Sequence, residues 1–554
     1  MMKKILFCLL SLFSMQLGFS QDKELPKNWF NLDQATDNYP GMSTEKLYKT
    51  LLQDKKGVPV IVAVIDGGVD YMHEDLKDVM WKNPKEIPGN NIDDDRNGYI
   101  DDVYGWNFLG GRDGKNVNED NLEITRIVRA KKNKFSNTDV SKLKGKDKEE
   151  YEEYLKMKKD VETQKQNADN SLKLYSEMQN KLINAEKKLK AYFGKEEITL
   201  EQLELIKNTD SPELKEAVGL MTNALKNGFS SQDLQGAVDH FKGQAEYQYN
   251  LDFNPRSIVG DKYANSNERY YGNPDIKGPN SFHGTHVAGI IAGDRSNNKG
   301  IEGIANNVKI MGVRCVPDGD EHDKDVANSI RYAVDNGAQV INMSFGKAYK
   351  WDKKAVDEAV KYAMSKDVLL VHAAGNDGKN NDNTNNFPND KFEHAGLFSK
   401  KYAPNWLEVG AASFKTGENA VAGFSNYGKK NVDVFAPGVQ IYSTTPENTY
   451  GNAQGTSMAS PMVAGVAAVI RSYYPQLTAE QVKKVIMDSC TKNNGKVKKP
   501  GTKGELVPFS DLSVTGGNVN VYEAIKLASK TKGKKKIKSM DNNGGMENSE
   551  KNRS

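Results

Sequence analysis

Two of the seven histidines sit together in His283-Gly-Thr-His-Val-Ala-Gly289, where an apolar run of helical character begins. A histidine at a helix N-terminus has its charged form disfavoured, which keeps the ring available as a neutral base. His286 lies three residues after His283, and a metal pair is the rival reading. The metalloprotease signature needs a Glu after the first His, however, and Gly284 stands there. A second segment, Gly455-Thr-Ser-Met-Ala-Ser-Pro-Met-Val-Ala-Gly465, places Ser457 behind a glycine that permits a tight turn and ahead of the apolar run Met458 to Ile470. Pro461 is tolerable in that helix only near its first turn. Ser457 then opens a helix whose unpaired N–H groups favour a developing negative charge, with a plain N-cap as the alternative reading. Asp66 follows the apolar run Val58–Ile65, and Asn376 follows a similar run in Val371-His-Ala-Ala-Gly-Asn-Asp377. A hydroxyl, a base, a carboxylate to orient the base and an amide donor for an oxyanion are what acyl transfer by serine requires.

The elements that would carry these groups are short β-branched runs at Val58–Ile65, Val308–Val313, Val340–Met343, Val368–Val371 and Leu407–Ala412. Continuous apolar runs of this length fit strands buried on both faces of a parallel sheet. Amphipathic stretches at Asp325–Asn336 and Lys353–Ser365 lie between them. The alternation predicts an α/β fold, a three-layer sandwich with a mainly parallel sheet. Such sheets form sites at the carboxyl ends of their strands, where Asp66 and Asn376 fall.

One segment breaks the rhythm. Residues 120–255 are rich in Lys, Glu and Gln. Tyr154, Val161, Ala168, Tyr175, Leu182 and Leu189 recur at heptad spacing, with Met157, Met178, Ala185 and Tyr192 three residues after four of them. That pattern is a narrow seam on a helix from Lys148 to Phe193, roughly 70 Å long at about 1.5 Å per residue. Thr199 with Gln202 makes a capping box, and Ser211-Pro212 an N-cap followed by proline at N1. The expectation is a helical, partly coiled-coil-like insertion. It reads equally as a solvated spacer arm or as a cap that binds a partner or self-associates.

The chain has 554 residues, 37% of them hydrophobic and 27% charged, with net charge +3. So mild a balance argues against nucleic acid as a partner. Residues 1–20 read as a cleaved export signal: Lys3 and Lys4, then the apolar stretch Ile5–Phe19, then Gly18 and Ser20 before a cut at Gln21. The stretch is short for a membrane anchor, and no other segment looks transmembrane. The expected destination is extracellular or periplasmic, at the cell envelope. Of three cysteines, Cys8 leaves with the signal; Cys315 and Cys490 read as two buried thiols rather than a disulfide. The expected organisation is signal 1–20, an N-terminal segment 21–57 without clear pattern, 58–119 and 256–529 as two parts of one domain, the insertion 120–255 and a disordered tail 530–554.

Taken together, Val64-Ile-Asp-Gly-Gly-Val69, His283-Gly-Thr-His-Val-Ala-Gly289, Val340-Ile-Asn-Met-Ser-Phe-Gly346, Ala374-Gly-Asn376 and Gly455-Thr-Ser-Met-Ala-Ser-Pro461 resemble the subtilisin-like serine proteases, in that family's order of Asp, His, Ser. The resemblance covers residues 58–105 and about 255–527. It implies a secreted serine endopeptidase acting on protein or peptide substrates. Ser457 would be the nucleophile, His283 the general base and acid, Asp66 the orienter, and Asn376 with the Ser457 N–H the oxyanion hole. It also implies that Ser344, Phe345 and Gly346 pair with substrate backbone, and that Ala373, Ala374 and Gly375 border the pocket for the residue before the cut. Three departures stand out. Gly67 replaces the Ser or Thr usual after the Asp. Asp66 and His283 lie 217 residues apart. Residues 21–57 look too short for the family's inhibitory propeptide.

Asn91-Ile-Asp-Asp-Asp-Arg-Asn-Gly-Tyr-Ile-Asp-Asp102 resembles the front half of an EF-hand loop, with Tyr104 where the closing Glu would be. The candidate set for a structural Ca²⁺ is Asp93, Asp95, Asn97, Tyr99, Asp101 and Asp102, with Asp75 at a position that matches a family calcium ligand. A solvated acidic turn is the alternative. The loop Val316–Asp325 carries five acidic residues. The family resemblance implies that it borders the substrate sites upstream of the cut, where these charges would favour basic residues, unless they are solvated or start a helix. The rival to an enzyme is a calcium-stabilised peptide-binding module on the same fold.

Overall fold

The computed structural model describes residues 25–394 and 400–535. The export-signal reading for residues 1–20 and the tail from 536 lie outside the described residues.

The central strand is β1 (Val60–Asp66), which pairs in parallel with β3 (Val308–Arg314) on one side and β4 (Val340–Met343) on the other. β2 (Gly105–Asn107) flanks β3, and β5 (Leu369–Ala373), β6 (Trp406–Ala412) and β7 (Val434–Pro437) continue beyond β4, all in parallel. Two short strands at Thr491–Lys492 and Gly517–Asn518 extend this sheet past β7. Successive side chains of a strand point to opposite faces. Val62 and Val64 accordingly enter one core, with the helices Phe282–Ala292 and Thr456–Tyr473. Ala63 and Ile65 enter the other, with the helices Asp323–Asp335 and Lys353–Ser365. Both faces are covered, which is why β1 is apolar from Val60 to Ile65. Cys315 and Cys490 are free and buried, one in each core.

Residues 25–57 are part of the body. Trp29, Phe30, Met42, Leu47 and Leu52 join the first core. The Trp29 indole donates to the Gln440 carbonyl at 3.1 Å, and the Tyr48 hydroxyl to the Ile304 carbonyl at 3.0 Å. The sequence offered no pattern here because the segment consists of short turns and helices, Gln34–Asp37 and Thr44–Lys49, that present isolated anchors.

Between β2 and the His283 helix, residues 123–248 are largely helical. Gly145–Phe193 forms one helix whose buried positions include Tyr154, Val161, Ala168, Tyr175, Leu182 and Leu189. Its base packs on the helix Glu123–Phe135. Its far end packs on the helices Pro212–Lys226 and Ser231–Lys242. The Thr199 capping box and the Ser211 cap both form. Tyr192 departs from the expected seam. It is 54% exposed, since the helix stops one residue later, with Gly194 as a left-handed cap. Among the described residues, no helix is long and apolar enough to cross a membrane.

Trp29 is wholly buried, so Trp29→Ala should leave a cavity and lower unfolding free energy by about 3–5 kcal/mol. A guanidinium titration that finds less than about 1 kcal/mol would show the N-terminal segment to be dispensable to the body.

Candidate active site

Asp66 ends the central strand and is 2% exposed. Both its oxygens face His283 Nδ1, at 2.8 and 2.9 Å, and the Gly67 N–H donates to Oδ1 at 2.7 Å. His283 is the second residue of its helix. The helix comes this close because Gly284 has no side chain: a Cβ there would lie 2.2 Å from the Gly68 carbonyl oxygen and 3.0 Å from Asp66 Cβ. The imidazole remains reachable, with 42% of the side chain exposed. Burial disfavours its charged form, but the Asp66 charge and hydrogen bond outweigh this and lift the pKa above its ordinary value. His286 has a different fate. It is buried, its Nε2 lies 3.0 Å from the Ile441 carbonyl oxygen, and burial drops its pKa to about 4. The two rings do not converge on a shared ligand.

Gly67 carries no hydroxyl for Asp66, but its carbonyl is held from behind. Arg314, 1% exposed, donates through Nε to the Gly67 oxygen at 2.7 Å, and also to Asn107 Oδ1 and the Val117 oxygen. It makes no salt bridge among the described residues, and burial lowers its pKa to about 10. A cleft of about 330 Å³ opens beside this group, lined by Asp66, His283, Asn118, Val316, Asp318 and Phe345 among others.

Ser457 is the second residue of the helix Thr456–Tyr473. Gly455 precedes it with φ +150°, a backbone conformation suited to glycine. In this structure the Ser457 hydroxyl donates to the Ser344 carbonyl at 3.0 Å rather than to His283. Pro461 is the sixth helical residue, further in than the sequence reading allows, and it cannot donate to the Ser457 carbonyl one turn back. Ser344 Oγ takes over that role, donating to the Ser457 oxygen at 2.9 Å. It receives a bond from Asn342 Nδ2 at 2.9 Å, and Asn342 Oδ1 receives one from the Ser460 hydroxyl at 2.8 Å. A buried polar chain thus repairs the break that Pro461 makes beneath Ser457.

Asn376 faces the same helix start. Its Oδ1 accepts from the Thr456 N–H at 2.8 Å and from the Thr456 hydroxyl at 3.0 Å, which fixes the amide so that Nδ2 points away from these donors. Asn386 lies between Gly346, at the end of the segment that follows β4, and Ala373–Gly375, donating to the Ala373 and Ala374 carbonyls. Sequence reasoning missed Arg314, Thr456 and Asn386. Only Thr456 carried a signal, as the neighbour of Ser457.

The acidic loop region divides. Carboxylate oxygens of Glu86, Asp95 and Asp102 lie within 4.8 Å of one another. Glu86 Oε2 is buried without a partner, and burial raises the Asp102 pKa to about 6. Three carboxylates crowded in this way fit a hard cation with oxygen ligands. The rest of the expected set does not converge. Asp93 caps the Asn97 and Gly98 N–H groups, and Asp101 caps those of Gly89, Asn90 and Asn91. Asn97 turns its Oδ1 to the Tyr99 N–H, and the Tyr99 ring packs against Trp106 and Tyr332. Asp75 stands apart, accepting from Asn297 and from the Ile301 N–H. Glu86 was missed because it precedes the motif.

A sequence profile described as "Subtilase family" matches residues 57–504. The chain is 42% identical over 191 residues to a "Thermophilic serine proteinase" of Bacillus sp. (strain AK1), over 34% of this chain and 42% of that protein. It is 37% identical over 236 residues to "Subtilisin DY" of Bacillus licheniformis, covering 42% of this chain and 77% of the relative. With "Thermitase" of Thermoactinomyces vulgaris the identity is 38% over 245 residues, 44% of this chain and 75% of the other.

Ser344→Ala should leave the Ser457 carbonyl and Asn342 Nδ2 unpaired and cost about 1–3 kcal/mol in denaturant unfolding. Adding Pro461→Ala, which restores an N–H donor in the helix, should recover part of that loss. A strictly additive pair would show that Ser344 does not stand in for the missing donor.

Proposed function

The chain belongs to the subtilase family, and on that premise we propose that it hydrolyses peptide bonds through an acyl-enzyme on Ser457. The observation that carries this reading is the His283–Asp66 pair: a partly exposed imidazole whose Nδ1 is bound to a buried carboxylate. With Nδ1–H donated to Asp66, Nε2 is the free base. Ser457 Oγ turns from the Ser344 carbonyl toward His283 as substrate arrives, and such bonds commonly tighten only in the Michaelis complex. His283 accepts the hydroxyl proton while Oγ attacks the scissile carbonyl. Asp66 stabilises the imidazolium that results. The Ser457 N–H and Asn376 Nδ2 receive the oxyanion, the latter oriented by Thr456. His283 then gives its proton to the leaving amine, and water, deprotonated by His283, releases the acyl group. Ser344, Phe345 and Gly346 offer an edge for the substrate backbone, and Ala373–Gly375 wall the pocket before the cut.

The acidic loop supports a narrower preference than five carboxylates would. Glu321, Asp323 and Asp325 are buried, Asp323 against Lys347 and Asp325 against Arg256. Asp320 accepts from the Glu123 N–H. Asp318 alone of the five lines the cleft, so the proposed preference for a basic upstream residue rests on one charge. The proposed export by cleavage before Gln21 would bring the enzyme to substrates outside the cytoplasm.

Glu86, Asp95 and Asp102 are the proposed calcium ligands. The ion would neutralise their mutual repulsion and hold the loop; it takes no part in the proposed chemistry.

Phosphonylation by a fluorophosphonate, followed against pH, tests the mechanism. Labelling should require Ser457, vanish in Ser457→Ala and fall as pH drops through a value above the ordinary 6.5 of histidine, because only neutral His283 acts as a base. Asp66→Asn should slow it by about 10⁴-fold. A folded wild type that takes no label at any pH would favour the peptide-binding module. For the ion, calcium at 100 times its Kd should stabilise the fold by about 2.7 kcal/mol, and Glu86→Gln should remove most of that gain. Identical thermal unfolding with calcium and with chelator would overturn the assignment.

A further inference from the structure

The helical insertion meets the cleft through a buried ion cluster. Lys347 directly follows Gly346, the last residue of the substrate-pairing edge. Its ammonium reaches Glu123 Oε2 at 2.7 Å, Asp323 Oδ1 at 2.8 Å and the Glu321 carbonyl at 2.6 Å. Glu123 is the first residue of the insertion's first helix, and Arg126 one turn on holds the same carboxylate at 2.8 Å. Arg126 also donates to the carbonyls of Asp320 and Glu321. Burial disfavours the Glu123 charge, yet Lys347 and Arg126 outweigh it and hold its pKa well below the usual carboxylate range. Two residues beyond Lys347, Tyr349 packs against the apolar core between the insertion's first helix and the base of its long one.

The opposite wall of the cleft is tied to the insertion as well. Val316, Pro317 and Asp318 line the cleft, and the chain that follows them is gripped from both ends of the insertion. At its start, the Glu123 N–H donates to Asp320 Oδ2 at 2.7 Å. On its return, Arg256 pairs with Asp325 at 2.5 Å. The two walls of this cleft, Val316–Asp318 and Ser344–Phe345, therefore share one anchor, at the insertion's base. A solvated spacer arm needs no such attachment. Charges buried this completely are costly unless paired, so the cluster resists rearrangement.

We propose that the base of the insertion is a positioning element for the upstream half of the cleft, with Glu123 and Lys347 as the positioning residues that set where Ser344–Gly346 stands against Val316–Asp318. The inference rests on the protease reading above. It assigns the insertion a role in binding extended substrates and leaves the chemistry at Ser457 to the triad. A ligand needing only the triad and oxyanion donors has no upstream residues to set between these two walls.

The test compares two ligands on the full-length protein. Glu123→Gln and, separately, Tyr349→Ala are assayed with a chromogenic peptide extending four residues upstream of the cut and with a small alkyl fluorophosphonate. Tyr349 is half-buried, so its variant loosens the contact without stranding a buried charge, and it decides the matter if Glu123→Gln does not fold. The expected result is a KM for the peptide raised at least fivefold, with kcat and the labelling rate within twofold of wild type. Peptide turnover and labelling that fall in parallel would overturn the proposal, as would an unchanged peptide KM in the folded variants. Wild type that fails to label refutes the protease reading; wild type that labels normally beside variants without the split refutes this inference alone.

Discussion

A carboxylate at the end of the central strand, almost wholly removed from water, is the constraint around which this site is organised. Burying such a charge is costly unless it is paired and hydrogen-bonded. Asp66 meets that requirement with His283 Nδ1 and the Gly67 N–H. The pairing demands that the His283 helix approach the strand end, and Gly284 is what lets it. It demands that the turn after Asp66 be rigid, and Arg314 grips its carbonyl from below. The missing hydroxyl at Gly67 thus matters less than the sequence suggests. The backbone N–H supplies one donor to Asp66, and a buried guanidinium holds the peptide that carries the next carbonyl.

The Ser457 side follows a different logic. Its difficulty is a hydrogen bond that a proline removes, and the remedy comes from the neighbouring strand end. Ser344 bonds the Ser457 carbonyl through its hydroxyl while its own carbonyl accepts from the Ser457 hydroxyl. The edge proposed to pair with substrate is therefore joined to the proposed nucleophile by two hydrogen bonds. Ser344 is pinned to Ser457 by these bonds, which leaves Phe345 and Gly346 as the part of the edge that an anchor beyond them must place.

Much of this was legible in the sequence, where the physics is local. β-branched runs bounded by glycine and polar turns gave the strands, because a strand buried on both faces has little freedom in composition. The capping residues of the insertion were readable for the same reason. Pairings between distant residues were not. Nothing near Glu86 marks it as a neighbour of Asp102, and Asp101 looks a better ligand than it is, because adjacent carboxylates point to different sides of a turn. The N-terminal segment hid its contribution because Trp29 and Leu47 are single anchors without a period. The acidic loop left its readings open, and the helix-start reading holds for Asp323 and Asp325, which lie in the first turn of the helix Asp323–Asp335; its buried partners were not legible because Arg126, Arg256 and Lys347 lie far away in sequence.

Those distant partners bear on how a large insertion is accommodated by the sheet and its helices. The insertion enters at Asp120 and returns near Arg256, and at both crossings the chain carries a buried charge whose partner belongs to the cleft-lining loop. Asp120 pairs with His322 at 2.9 Å, Arg256 with Asp325. Such pairs contribute little net stability compared with apolar packing, but breaking one strands a charge, so they favour a single arrangement over near alternatives. A hydrophobic seam would have tolerated sliding by a fraction of a turn. An ion cluster with defined hydrogen-bond directions fixes the register between insertion and cleft, and the residue it fixes most directly is Lys347, one peptide beyond the edge proposed to pair with substrate.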